Sequence, residues 1–350
     1  MLLRLRRAAP SRQIDSILAL AKDLGYRPRF LDAGREILEL EPEKGTDGKP
    51  DHRSRFEDCA GVAQVLDAGE ARERHERAPG QPDTVVAVGD ARFGGGEISL
   101  IAGPCAVEDG SRLLEIAKAV QAAGALLLRG GAFKPRTSPY SFQGHGEAAL
   151  DMLARARAET GLGIVTEVLD PRDVARVAEV ADMLQVGARS MTNTPLLAEV
   201  GASGRPVLLK RGFSATVREF LLAAEFVLAR GNSRVVLCER GVRGFDKTTR
   251  NLLDVGAIAH LKRATHLPVI VDPSHVAGRS ELVRPLARAG LAAGADGLVV
   301  EVHTEPSEAR SDAAQAVSAE TFAAIAKDAV AIAALDRRRL RTPQGSATTS

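Results

Sequence analysis

No stretch of this chain approaches the roughly 18 uninterrupted apolar residues that a membrane span needs, so no spanning helix is expected. The opening residues, Met1 to Arg7, are too short for the apolar core of a signal peptide. Charge of either sign is also scarce in excess. Lys plus Arg number 47 against 45 Asp plus Glu, and a net charge of +2 is too small to imply nucleic acid or a membrane surface as partner. The arginines therefore need local explanations. Cysteine is limited to Cys59, Cys105 and Cys238, which make no disulfide framework and fit a reducing compartment. What remains is the expectation of a cytoplasmic enzyme. Its 350 residues, 45% hydrophobic and 26% charged, suit one large domain plus an appendage.

Residues 1–69 read as the appendage. Leu2 to Arg7 alternates apolar and polar residues, as a half-buried strand does. Ser11 can cap a helix that places Ile14, Ile17, Leu18, Ala21 and Leu24 on one face, with Gly25 closing it. Arg27–Asp32 and Glu36–Glu41 read as strands around a turn at Ala33-Gly34-Arg35. Phe56–Gly61 reads as a short helix and Val62–Leu66 as a last strand. The order β-α-β-β-α-β is the ferredoxin-like split motif, an α+β domain. It holds no catalytic constellation, which leaves a regulatory or assembly role. Residues 70–83, charged and then rich in Gly and Pro, read as a linker.

A different rhythm begins at residue 84. A short hairpin is expected over Thr84–Val88 and Ala91–Glu97, plugging the bottom of the strand-and-helix array beyond it. That array holds eight short apolar runs: Ile98–Ala102, Ala125–Arg129, Gly163–Glu167, Met183–Val186, Pro206–Lys210, Val235–Glu239, Pro268–Asp272 and Gly297–Val302. They alternate with helical patterns near 111–123, 146–160, 171–181, 194–202, 216–230, 251–264, 279–293 and 318–337. Continuous apolar strands separated by helices imply a parallel sheet covered on both faces. Eight such units point to an α/β fold, a (β/α)₈ TIM barrel over 84–337. A doubly wound sheet would carry a glycine fingerprint after its first strand, and none is present. Residues 338–350 read as a disordered tail.

In such a barrel the C-terminal strand ends line the active site. Here they are Gly103-Pro104-Cys105, Arg129 with Lys134–Thr137, Glu167, Gln185 with Gly187-Ala188-Arg189, Lys210-Arg211, Glu239-Arg240, Asp272-Pro273-Ser274-His275, and Glu301 with His303. In the loop 129–144, Arg129, Lys134 and Arg136 fall within eight residues. Gly130-Gly131 permits close backbone approach to a ligand, and Pro135 and Pro139 hold the residues before them extended. Such a loop suits a substrate with more than one anionic group. Arg129, Lys134, Arg189, Lys210 and Arg240 could converge on a small polyanion. Cys105, His275, Glu301 and Asp312 are the residue types that bind a transition or zinc-like metal. Plainer alternatives stand beside them: a buried thiol for Cys105, a hydrogen-bonded loop histidine for His275, and a helix cap for Asp312 with Gln315 three residues on. His303 could replace one of them as ligand or proton donor. Cys59 and Cys238 read as packing residues.

Several of these stretches resemble 3-deoxy-arabino-heptulosonate 7-phosphate (DAHP) synthases: Ile101-Ala102-Gly103-Pro104-Cys105, Leu128 to Pro139, Leu208-Leu209-Lys210-Arg211-Gly212, Leu237-Cys238-Glu239-Arg240-Gly241 and Val271-Asp272-Pro273-Ser274-His275. The resemblance covers 85–335 in order. It is to the short metal-dependent class related to octulosonate 8-phosphate synthase, some of whose members carry an N-terminal ferredoxin-like regulatory domain. It implies condensation of phosphoenolpyruvate with erythrose 4-phosphate and release of phosphate, the first step toward chorismate and the aromatic amino acids. It further implies that Cys105, His275, Glu301 and Asp312 hold a divalent metal (Mn, Fe, Co or Zn). Arg129, Lys134, Gly187, Ala188, Arg189, Lys210 and Arg240 would bind phosphoenolpyruvate. Lys134, Pro135, Arg136, Thr137 and Asp312 would meet the erythrose phosphate. Lys134, Cys105 and His275 are the implied catalytic residues, with Lys134 as the proton donor. A homo-oligomer, usually a tetramer, is implied, with tyrosine or phenylalanine as feedback inhibitor at the N-terminal domain.

Octulosonate synthases usually carry Lys-Ala-Asn-Arg-Ser-Ser where this chain has Lys134-Pro135-Arg136-Thr137, and that difference favours the four-carbon aldehyde. Metal-free octulosonate synthases place Asn at the position of Cys105. Ser190, Val276, Ala277 and Ala313 depart from the usual family residues beside the site without removing an implied ligand. Another aldose phosphate as substrate, or a non-catalytic metabolite-binding barrel, are the competing expectations.

Overall fold

The structure, a computed structural model, describes residues 1–6, 9–31, 35–42, 52–66, 73–134, 140 and 142–343. The chain divides into two compact units, Met1–Glu73 and Arg74–Ser350.

The first unit runs β1 (Leu2–Leu5), α1 (Ser11–Asp23), β2 (Tyr26–Phe30), β3 (Ile37–Pro42), α2 (Arg53–Glu57) and β4 (Val62–Leu66). Its strands pair antiparallel in the order β2-β3-β1-β4, the ferredoxin-like arrangement. Leu3, Leu38 and Leu40 from the sheet pack with Ile17, Ala21 and Phe56 from the helices. The requirement to bury Phe56 explains why α2 lies earlier than the expected Phe56–Gly61: the helix ends just after the side chain that anchors it. Ser11 is the first helical residue, and Pro10 occupies the cap position without a side-chain bond. The expected turn at Ala33-Gly34 lies outside the described residues.

The second unit opens with a hairpin, β5 (Val86–Val88) and β6 (Ala91–Phe93). There follow β7 (Glu97–Gly103), α3 (Gly110–Ala122), β8 (Leu127–Arg129), α4 (Glu147–Thr160), β9 (Gly163–Glu167), α5 (Val174–Val180) and β10 (Met183–Val186). Then come α6 (Thr194–Ala202), β11 (Val207–Lys210), α7 (Val217–Leu228), β12 (Val235–Glu239), α8 (Val255–Ala264), β13 (Val269–Val271) and α9 (Pro273–Ala277). The last elements are α10 (Ser280–Ala292), β14 (Gly297–Glu301), α11 (Ala319–Leu335) and β15 (Arg339–Leu340). Strands β7 to β14 each pair with the next in parallel. β14 returns to β7, from Gly297 opposite Ser99 to Glu301 opposite Gly103, and the eight strands close into a barrel.

Alternation along the strands builds two cores. Leu100, Leu128, Ile164, Leu184, Leu209 and Leu237 face the helices. Ile101, Leu127, Val165, Leu208, Val236 and Val299 face inward, where they pack with Val86, Val88 and Phe93 of the hairpin. Phe93 lies against Gly297, the first residue of β14, and Gly94 lies beside Pro268 just before β13. The hairpin therefore stops the N-terminal end of the barrel and leaves the opposite end open. Cys238 packs inside the barrel and Cys59 against the core of the first unit.

The expected linker and tail also differ from the sequence expectation. Within the expected linker, residues 74–83 are seated on the barrel. The backbone N–H groups of Arg74 and His75 donate to the Glu225 carboxylate, and Arg77 donates to Asp83 and to the Lys262 and Thr265 carbonyls at the end of α8. A cation at a helix C-terminus satisfies carbonyls that the helix leaves unpaired. Within the expected disordered tail, β15 pairs in parallel with Glu97 and Ile98 of β7, and Arg341 donates to Glu97 at 2.8 Å. Residues 344–350 lie outside the described residues.

Candidate active site

Four side chains from separate elements meet at the open end of the barrel. Cys105 follows β7, His275 lies on α9, Glu301 ends β14, and Asp312 precedes the 3₁₀ turn Ala313–Gln315. One ligand atom from each lies within 4.8 Å of the others. Cys105 Sγ is 3.1 Å from Asp312 Oδ2, and His275 Nε2 is 3.4 Å from Glu301 Oε1. Metal–donor bonds of about 2.0–2.3 Å put tetrahedral ligands about 3.3–3.8 Å apart. Donor types and spacing both fit a divalent metal ion.

Asp312 is not the helix cap that its spacing to Gln315 suggested. Its side chain makes no cap bond. It stands in the left-handed region (φ 55°), which turns the carboxylate toward Cys105 and Arg250. Burial works to raise its carboxyl pKa, but His275, the Cys105 hydrogen bond and Arg250 together hold it below the usual range. For Glu301, burial is likewise outweighed by His275 and Arg129, and the carboxyl stays low. Burial, with the charge of Glu301, pushes the Cys105 thiol up to about 12 against the pull of Lys134 and Arg129. A metal ion would replace that proton.

Cations crowd the same mouth. Arg129 Nη1 donates to Glu301 Oε1 at 2.9 Å, and Lys134 Nζ reaches Cys105 O at 2.9 Å and Cys105 Sγ at 3.0 Å. Burial works to lower the Lys134 pKa, yet Cys105, Glu167 and Glu301 raise it, so the ammonium is kept. Lys210 Nζ donates to Asp272 Oδ2 at 2.5 Å. Arg189 and Arg240 form no ion pair among the described residues and stand over the ring of Phe213. Gly187 and Ala188 follow β10. A side chain at Gly187 would meet the Glu167 carboxylate, whose Oε1 lies 1.9 Å from where a Cβ would stand, and could be accommodated only by moving that carboxylate. Pro135, Arg136 and Thr137 lie outside the described residues. His303 stands apart from the quartet: its Nδ1 accepts from Glu305 N, and its Nε2 is 4.0 Å from Glu108.

Three supporting residues carry no local signal for the role they play here. Asp272 caps α9 by accepting from His275 N and also accepts a hydrogen bond from His275 Nδ1 at 2.8 Å, which turns Nε2 toward the other ligands. The run Asp-Pro-x-His is a readable start for a short helix, and α9 was the one helix of the barrel that periodicity could not supply. Gln315 is buried and donates to Glu301 Oε2 at 2.6 Å. Its own oxygen accepts from Arg250, which also grips Asp312. A cavity of about 490 Å³ has none of the quartet in its lining. Ala188, Phe213, Leu222 and Phe226 are among its lining residues.

A closed (β/α)₈ barrel whose mouth brings together a thiol, an imidazole and two carboxylates able to hold a metal ion, beside buried cations, belongs to the class of barrel enzymes that take small, multiply anionic substrates. The chain belongs to the DAHP synthetase I family, whose model matches residues 76–334. It is 50% identical over 240 residues to phospho-2-dehydro-3-deoxyheptonate aldolase of Thermotoga maritima, covering 69% of this chain and 71% of that one. It is 34% identical over 277 residues to a 2-dehydro-3-deoxyphosphooctonate aldolase of Rhodopseudomonas palustris, covering 74% of this chain and 96% of the relative. A crystal structure of the Thermotoga maritima DAHP synthase superposes with a TM-score of 0.76 at 38% identity, covering 97% of this chain and 99% of that one. A truncated form of that organism's 3-deoxy-D-arabino-heptulosonate 7-phosphate synthase gives 0.71 at 42%, covering 76% and 98%.

Proposed function

We propose an assignment of groups for the reaction of this family, which this chain catalyses: condensation of phosphoenolpyruvate with erythrose 4-phosphate and release of phosphate, at the start of the shikimate pathway. Arg129, Lys134, Arg189, Lys210 and Arg240, with the backbone at Gly187-Ala188, bind phosphoenolpyruvate and fix its C3 for attack on the aldehyde. Pro135, Arg136 and Thr137, with Lys134 and Asp312, meet the erythrose phosphate. When bound at Cys105, His275, Glu301 and Asp312, a divalent ion (Mn, Fe, Co or Zn) supplies Lewis acidity toward the aldehyde and helps orient it. Lys134 delivers the proton to the aldehyde oxygen. Glu167 positions the water that adds at C2, since Glu239 is already committed to Arg211 and to Gly241 N.

The observation that carries this assignment is the place of Lys134: a half-buried amine, its pKa raised by the surrounding anionic groups, 3.0 Å from the thiol of the proposed metal quartet. Steady-state assays with phosphoenolpyruvate and either erythrose 4-phosphate or arabinose 5-phosphate test the choice of aldehyde. Preference for the pentose phosphate would overturn it. The cytoplasm is the expected compartment and a homotetramer the expected assembly. The N-terminal βαββαβ unit is assigned to feedback inhibition by tyrosine or phenylalanine. Deleting residues 1–70 should keep turnover and abolish inhibition, and inhibition that survives the deletion rejects the assignment.

A further inference from the structure

Phe213 lies in the loop between β11 and α7, and three guanidinium groups gather on its ring. The Cζ atoms of Arg240, Arg243 and Arg189 stand 4.7, 5.2 and 5.5 Å from the ring centroid. Neighbouring cations have carboxylate partners: Arg129 has Glu301, Lys210 has Asp272, and Arg211 has Glu239 and Asp254. Arg189, Arg240 and Arg243 have none among the described residues. Like charges brought this close repel, and the negative face of one ring offsets only part of that repulsion. Arg240 is 2% exposed, so water cannot supply the rest, and burial pushes its guanidinium below the ordinary value. The arrangement calls for an anion with several oxygens.

Arg243 is tied to the same ring through the backbone. Its N–H donates to the Phe213 carbonyl at 2.7 Å, which fixes the two residues side by side although the Arg243 side chain is exposed. Phosphoenolpyruvate has two anionic ends. The carboxylate offers two oxygens and a single charge, whereas the phosphate offers three terminal oxygens and up to two charges, and so can use three guanidinium forks.

We propose that Phe213 is a positioning residue that gathers Arg189, Arg240 and Arg243 into one phosphate-binding face, and that Arg243 is the third cation of that face. The proposal rests on the assignment of Arg189 and Arg240 to phosphoenolpyruvate. The same face meets the phosphate that the reaction releases, so inorganic phosphate competes with phosphoenolpyruvate there. Phe213 is half-buried and borders the 490 Å³ cavity, so its replacement leaves the barrel core intact.

The test uses the metal-loaded full chain as Phe213→Leu, Phe213→Tyr, Arg243→Gln and Arg240→Gln. Phe213→Leu should raise the KM for phosphoenolpyruvate and the Ki for inorganic phosphate together, each about tenfold. The KM for erythrose 4-phosphate should hold, and kcat should change by less than about threefold. Phe213→Tyr, which keeps the ring, should restore both constants to within about twofold. Arg243→Gln should raise the same two constants about threefold and flatten their dependence on ionic strength. Because that side chain is exposed, this variant carries the test if Phe213→Leu proves unstable. Wild-type constants in Phe213→Leu and Arg243→Gln would overturn the proposal, as would a loss that Phe213→Tyr fails to restore. Arg240→Gln separates the two layers. If it leaves the phosphoenolpyruvate KM unchanged, the underlying assignment fails. If it raises that KM while Phe213→Leu does not, only the role of the ring fails.

Discussion

Replacing Asp272 by Asn removes one charge where the anion site and the metal quartet meet. Asp272 is fully buried. Its Oδ2 accepts from Lys210 Nζ at 2.5 Å and from His275 Nδ1 at 2.8 Å, and its Oδ1 accepts from His275 N at 3.0 Å. Burial alone would raise its pKa, but His275 and Lys210, with Arg129 behind them, hold the carboxyl well below the usual range. These partners favour the charged carboxylate. In Asp272→Asn the amide nitrogen must take one of the two oxygen positions. At Oδ2 it sets a donor against both Lys210 and His275, and His275 must move its proton to Nε2, the atom the metal needs. At Oδ1 it breaks the cap of α9, and Lys210 still loses its counter-charge. Breaking a buried pair costs about 3–5 kcal/mol, which for a unit of this size lowers Tm by about 10 °C. Misdirecting a ligating histidine costs about 10–100-fold in metal affinity. Calorimetry and competition with a chromogenic chelator read the two effects on one preparation. A variant with wild-type Tm and wild-type metal affinity would refute the reasoning.

Gln315→Leu should weaken metal binding about tenfold, because Glu301 loses the donor that orients it, while phosphoenolpyruvate affinity measured calorimetrically should hold. Lys134→Ala should abolish turnover, whereas Arg136→Ala should chiefly raise the KM for the aldehyde; an effect of Arg136→Ala confined to phosphoenolpyruvate would contradict the division of the loop. Asp328 on α11 is gripped by Arg284 and Arg288 of α10, with bonds of 2.6–3.0 Å that hold its carboxyl below the usual range. A depressed folded-state pKa stabilises above the unfolded value of about 3.9, and that contribution is lost as pH falls through the folded value. Asp328→Asn should therefore cost about 1 kcal/mol at neutral pH, modest because the arginines are about half exposed, and the gap in Tm should narrow in acid scans. A gap that stays constant down to about pH 2 would be inconsistent with this account.

The barrel was readable because each strand is apolar on both faces and bounded by turn residues. β9, β10, β12 and α6 fall on the expected residues, since buried runs such as Val235–Glu239 leave no alternative period. Local pattern failed where a distant partner decided the outcome. Asp312 and Gln315 have the spacing of a cap and its partner, but Asp312 turns to Cys105, which is 207 residues away in sequence. The charged run at 74–83 reads as part of a linker because its acceptors, Glu225 and the α8 carbonyls, lie far along the chain. Asp272 was visible only as a polar strand end. Its function depends on Lys210, which spacing cannot bring near. Residue types alone suggested a metal set and an anion set. The finer roles come from which carboxylate each cation already owns.

The pairing of β15 with β7 also bears on how the chain is made. Glu97 opens the first barrel strand, yet it pairs with Arg339, and Arg339 Nη2 lies 3.2 Å from its carboxylate across 242 residues of sequence. Throughout synthesis β7 presents a raw edge that neither β14 nor β15 has yet covered. An open parallel sheet with an exposed apolar edge is a template for wrong pairing. Truncation of this chain before residue 339 thus removes more than a tail: it leaves part of that edge without its last cover, and aggregation during expression is the expected cost.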